Sequence, residues 1–149
     1  MDLLMYKRIL VCLENSPTDQ FIVSHIKQLA KHCAASLLLI HVADGWAARN
    51  IKHLELRESE EMRDDREYLE RVAADFVTTG LRAEALLATG DPSSEITSAA
   101  EREKCDLIAM ATHGHKLLGD MIHGSVATSV RHKSMVPVLL VRAPAKPTA

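Results

Sequence analysis

Residues 8–20 read RILVCLENSPTDQ, and this stretch decides the fold. RILVCL is a short, continuous apolar run rich in β-branched residues, the pattern of a strand buried on both faces. The polar turn ENSPTDQ follows directly. It offers Ser16 as a helix N-cap, Pro17 at the first helical position and Asp19 in a capping-box-like place. Beyond the turn, Ile22, Ile26, Leu29, Ala30 and Cys33 recur at helical spacing. A buried strand feeding an amphipathic helix is the opening of a β-α-β chain.

The same alternation continues outward. Ser36 to Val42, SLLLIHV, reads as a second strand. Residues 43–53 have no clear period and read as a loop or lid. Residues 54–78 are heavily charged but carry Met62, Leu69, Val72 and Phe76 on one stripe. Glu67 and Arg71 form a favourable i,i+4 pair there, and such a charge run reads as a solvated helix face. Gly80 suits the C′ position, and Leu81 to Ala88 is a third strand. In GDPSSEI, Asp91 is an N-cap and Pro92 opens a helix running to about Lys104, with Ile96, Ala99 and Ala100 facing inward. Asp106 to Ala111 is a fourth strand. A fourth helix is expected to start near Gly124 and Ser125, turning Val126, Ala127 and Val130 inward, before a last strand at Val136 to Val141. The tail, 143–149, is expected to be disordered. This order predicts an α/β fold, an open parallel five-stranded sheet with helices on both faces. The 149 residues suit a single domain, 1–149.

Composition excludes several classes. Net charge is −2 and charged residues make up 26%, which speaks against a broad nucleic-acid or anionic-membrane surface. No apolar run is long enough to span a bilayer, and the N-terminus lacks a signal core. Cys12, Cys33 and Cys105 are odd in number and scattered, with no CxxC pair. They read as reduced, core-packed thiols of a cytoplasmic protein.

In open parallel sheets, ligands sit beyond the carboxyl ends of the strands, where the strand order reverses. Two loops hold suitable chemistry. One is Glu14-Asn15-Ser16. The other is residues 111–125, ATHGHKLLGDMIHGS. Its glycines allow close approach of backbone to an anion, and a helix start at Gly124-Ser125 would add free N–H groups. The alternatives are a metal site and a plain connecting loop. His113, His115 and His123 match no standard metal-ligand spacing. A P-loop fails because Asp120 stands where lysine is required, and neither GxGxxG nor GxSxG is present. His41, inside strand two, reads as a satisfied structural histidine. Glu14 alone is a thin basis for catalysis.

Taken in order, ILVCLENS, LLLIHV, TGDPSSEI, CDLIAMATHG, Gly124-Ser125 and VPVLLVR resemble the universal stress protein family over about residues 6–142. The resemblance implies a Rossmann-like sheet of strand order 3-2-1-4-5. It also implies an ATP site built on Gly-x2-Gly-x9-Gly-Ser/Thr, aligned here as Ala111, Gly114, Gly124 and Ser125. Gly114, Gly124, Ser125 and the Val126 backbone would hold phosphates and ribose, flanked by Met110 and His113. Val42 would present backbone to the adenine, Cys12 and Leu13 would line the base pocket, and Glu14 would contact the nucleoside. Two positions depart from the pattern. Ala111 replaces the first glycine, costing about 1–2 kcal/mol if that position needs positive φ, or crowding the phosphate chain with one methyl if it needs only close approach. Glu14 replaces an aspartate and is one methylene longer.

The resemblance further implies ATP, with Mg2+ or Mn2+, or AMP or another adenine nucleotide. It implies a regulatory role in stress response, an unidentified protein partner, and a homodimer through the final strand, 136–141. A slow ATPase and a dimeric interaction protein that binds no ATP are the competing readings. Neither nucleic acid nor membrane is expected as a partner.

Overall fold

The computed structural model describes residues 5–44, 55–113 and 118–144. The run RILVCL forms the middle of the sheet. Its strand β1 (Arg8–Cys12) pairs in parallel with β2 (Ser36–Asp44) on one side and with β4 (Leu107–His113) on the other. Ile9 lies opposite Leu37 and Leu107. β3 (Arg82–Gly90) extends the sheet beyond β2, and β5 (Val138–Ala143) extends it beyond β4. The order is therefore β3-β2-β1-β4-β5, all parallel, as expected for a Rossmann-like fold.

Alternation along the strands divides the core in two. Ile9, Val11 and Leu13 point toward one face, with Leu37, Leu39, Leu107 and Ala109. That face is covered by Ile22, Ile26 and Ala30 of α1 (Asp19–Cys33) and by Leu69, Ala73 and Phe76 of α2 (Glu55–Thr78). Leu10, Leu38, Ile40, Ile108 and Met110 point to the other face. They meet Ile96, Ala99 and Ala100 of α3 (Pro92–Arg102) and Ala127 and Val130 of α4 (Leu118–Lys133). Both faces being buried is why the central strands read as unbroken apolar runs.

The end of the sheet at which the strands begin is closed by polar contacts. Asp106 accepts hydrogen bonds from the N–H groups of Lys7 (2.8 Å) and Arg8 (3.0 Å). The Arg8 guanidinium reaches Glu103 at 3.6 Å, Glu84 at 3.8 Å and the Ser36 hydroxyl at 3.4 Å.

Several local expectations are corrected. Ser16 does not cap α1. The helix begins at Asp19 after Thr18, whose side chain makes no capping bond, and Pro17 precedes the first helical position. The Asp19 carboxylate instead binds the preceding turn. Asp91 does cap α3, accepting from Ser94 N–H at 3.0 Å, with Pro92 in the first turn. The fourth helix begins at Leu118, not near Gly124. Gly124 and Ser125 thus lie in its second turn, where N–H groups are engaged by carbonyls four residues back. Ala43 and Asp44 belong to β2, while the rest of the expected loop or lid lies outside the described residues. Ala143 is not tail but the fully buried end of β5. No helix among the described residues is long and apolar enough to cross a membrane.

Candidate functional site: a cleft at the strand carboxyl ends

The strand order reverses between β1 and β4, and beyond their carboxyl ends lies a cleft of about 440 Å³. β1 and its turn supply Cys12, Glu14 and Ser16. Ile40, His41 and Val42 come from β2, and Met110 and Ala111 from β4. Pro92 and Ile96 of α3 and Val126 of α4 complete the lining. The walls are mostly apolar, and Glu14, Ser16 and His41 are the polar groups among them. A slot of this size and character suits a planar, partly apolar ligand carrying a few hydrogen-bonding groups. Burial pushes the Cys12 thiol up to about 12, so it stays a neutral wall group at physiological pH.

The turn after β1 is held in an unusual way. Asn15 has φ of 61°, a left-handed conformation that asparagine tolerates better than most residues. Asp19, almost fully buried, gathers the N–H groups of that turn. It accepts from Glu14 N–H at 3.1 Å, Asn15 N–H at 2.9 Å and Ser16 N–H at 3.4 Å. Tyr68 of α2 donates its hydroxyl to the same carboxylate at 2.6 Å. Burial, and then the Asp19 carboxylate, pushes the Tyr68 hydroxyl well above the usual phenol range, so it remains a donor. One turn earlier on α2, Asp65 accepts from the Asn15 side-chain amide at 2.8 Å and lies 3.4 Å from His41 Nε2. His41 Nδ1 sits 2.9 Å from the Leu13 carbonyl. A carbonyl can only accept, so Nδ1 carries the proton. The Glu14 carboxylate in turn accepts from the hydroxyls of Ser16 (3.3 Å) and Thr18 (3.4 Å).

Among the residues expected to bind a nucleotide, Cys12, Glu14, Val42, Met110, Ala111 and Val126 come together around this cleft. Leu13 is not among the lining residues; its side chain is buried on the opposite face. Ala111 sits within β4, paired with Val141, and is not among the residues of positive φ. The strain that alanine would carry in a left-handed position therefore does not arise. His113 ends β4. Gly124 lies inside α4, as does Ser125, which is exposed. Gly114 lies outside the described residues. The sequence reading missed Ile40, Pro92 and Ile96 as lining groups, gave His41 a purely structural place and Ser16 a capping one although both line the cleft, and missed Asp65 and Tyr68 altogether. No local signal marked Asp65 and Tyr68, because the groups they bind lie 50 and 49 positions away in the sequence.

Residues 5–142 match the Universal stress protein family. The chain belongs to the universal stress protein family. Universal stress protein MJ0577 of Methanocaldococcus jannaschii is 28% identical, over 93% of this chain and 96% of that protein. Its solved structure matches with a TM-score of 0.78, covering 98% of this chain and 100% of the other at 27% identity. A universal stress protein solved in complex with cAMP matches with a TM-score of 0.66 and 20% identity, covering 93% and 98% of the two chains. One from Archaeoglobus fulgidus solved with dAMP gives 0.69 and 18%, covering 93% and 99%.

Proposed function

We propose that this universal stress protein is a regulatory protein that binds an adenine nucleotide, ATP first among them, in the cleft between β1 and β4. The carrying observation is the cleft itself: apolar walls from Cys12, Ile40, Val42, Met110 and Val126, with the Glu14 carboxylate among them. In this reading the base lies against those walls and the Val42 backbone. Glu14 accepts hydrogen bonds from the ribose hydroxyls or the adenine amino group. Two proteins of the same fold that were solved with cAMP and dAMP support the ligand class.

The phosphates are assigned to the Gly114, Gly124 and Ser125 region, flanked by His113. Among the described residues, no group of three or more His, Cys, Asp or Glu side chains is placed to hold a metal ion. In this reading a Mg2+ or Mn2+ ion arrives with the phosphates. A second reading, AMP as the preferred ligand, is favoured by the start of α4 at Leu118. That start leaves the Gly124 and Ser125 amides engaged within the helix.

The proposal extends to a homodimer formed through the edge strand β5, where Leu140 is 42% exposed and the adjoining Met135 98%. An uncovered apolar edge invites strand pairing or packing with a second copy. A cytoplasmic role in stress response, exerted through a protein partner, completes the reading.

Titration calorimetry with AMP, Mg-ATP and Mg-GTP tests it. Binding of an adenine nucleotide, lost in Val126→Trp, supports the cleft. A protein whose melting temperature does not move at millimolar AMP or ATP refutes it, because a native-state ligand at ~100 times Kd adds about 2.7 kcal/mol. Phosphate release on incubation with Mg-ATP would show the slow ATPase.

A further inference from the structure

The cleft opens toward α3 and α4, yet the turn that carries Glu14 is gripped from the opposite face of the sheet. Asp65 and Tyr68 do the gripping from one side of α2. Tyr68 binds the carboxylate of Asp19, which itself binds the N–H groups of Glu14, Asn15 and Ser16. Asp65 binds Asn15 and faces His41, whose other ring nitrogen binds the Leu13 carbonyl. Residues 13–16 are thus tied at each successive position to a side chain that α2 touches directly or through one intermediary. Neither Asp65 nor Tyr68 lines the cleft.

We propose that Asp65 and Tyr68 are positioning residues for the nucleotide cleft, setting the shape of the Leu13–Ser16 turn and with it the placement of the Glu14 carboxylate. A left-handed residue such as Asn15 persists only where its surroundings over-determine it, and here α2 supplies that constraint. The Glu14 carboxylate is held by the hydroxyls of Ser16 and Thr18, which move with the same turn. A small change in the turn therefore moves its carboxylate relative to a ligand held by the rigid walls of β1, β2 and β4. Ligand affinity becomes a property of α2 as well as of the cleft. The inference rests on the nucleotide-binding reading above.

Tyr68→Phe tests it while keeping the ring that packs on the core, and Asp65→Asn is the companion variant. Two readouts separate positioning from mere stability. Amide exchange in the ligand-free protein should speed up at Glu14, Asn15 and Ser16 in both variants, with β1, β2 and β4 unchanged. AMP or Mg-ATP affinity should fall roughly three- to tenfold, the size expected of a coupled residue away from the ligand. In a Glu14→Gln background, Tyr68→Phe should cost little further affinity, because the group it positions is already altered. A wild-type protein that binds AMP or ATP beside a Tyr68→Phe that binds equally well overturns the positioning role alone. So does full additivity of Tyr68→Phe and Glu14→Gln. A wild-type protein that binds neither nucleotide overturns the assignment of the cleft, and the positioning role falls with it.

Discussion

Replacing Asp19 with alanine removes one buried carboxylate and leaves its donors without an acceptor. The carboxylate accepts from Glu14 N–H at 3.1 Å, Asn15 N–H at 2.9 Å and Tyr68 hydroxyl at 2.6 Å, with Ser16 N–H more distant at 3.4 Å. Hydrogen bonds to a charged acceptor contribute about 1.5–3 kcal/mol each, and a stranded buried donor costs about 1–3 kcal/mol. The turn is part-buried, so water recovers some of this. The expected loss is about 2–5 kcal/mol, a large share of the roughly 5–15 kcal/mol that holds a domain of this kind folded. Urea unfolding followed by far-UV circular dichroism measures it as a fall in the midpoint at constant slope. Asp19→Asn should lose less, since its amide oxygen still accepts. A loss for Asp19→Ala below about 1 kcal/mol, within reach of an ordinary substitution, would refute the account of the turn.

Three further outcomes are expected. Asp91 is held at about 2, against an ordinary 3.8, first by its hydrogen bond from Ser94 and last by Lys133 nearby. Its carboxylate therefore stabilises the fold above the unfolded value, and that contribution disappears as pH falls from about 4 toward 2. Acid unfolding of Asp91→Asn should be flatter than that of the wild type over that window, and identical slopes would contradict the cap. Gly90 has φ of +130°, and a Cβ there would come within 2.8 Å of Glu95 Oε1. Gly90→Ala should destabilise by about 1–3 kcal/mol in the same urea assay, because left-handed strain is added to the close contact. Cys12 in the native protein should resist iodoacetamide at pH 8, since its thiol is pushed up to about 12. Mass spectrometry showing Cys12 alkylated as fast as in the unfolded chain would contradict that.

The strands were legible because burial on both faces leaves no polar positions to interrupt them: RILVCL, SLLLIHV and DLIAM read directly. Their order was not contained in the pattern and came with the family resemblance. α4 starts at Leu118, ahead of the expected start near Gly124 and Ser125. A glycine within a helix costs only about 1 kcal/mol, which good helix formers such as Leu118 and Met121 offset. Ser16 looked like a cap, yet the turn's N–H groups converge on the charged Asp19, a stronger acceptor than a hydroxyl. About half of the cleft's lining could be named beforehand, mainly the residues at strand ends. The turn's supports could not be, because Asp65 and Tyr68 lie about fifty positions from the groups they bind, and such a pairing leaves no local signature.

The contacts of Arg8 and Asp106 lie at the opposite end of the sheet from the cleft. An engineer seeking a hardier version of this chain has a free hand there. Tightening the ion cluster around Arg8, for instance by changing its neighbours on β3 and after α3, should raise the melting point while leaving ligand selectivity untouched. Equal effort spent beside Glu14 would trade one property against the other.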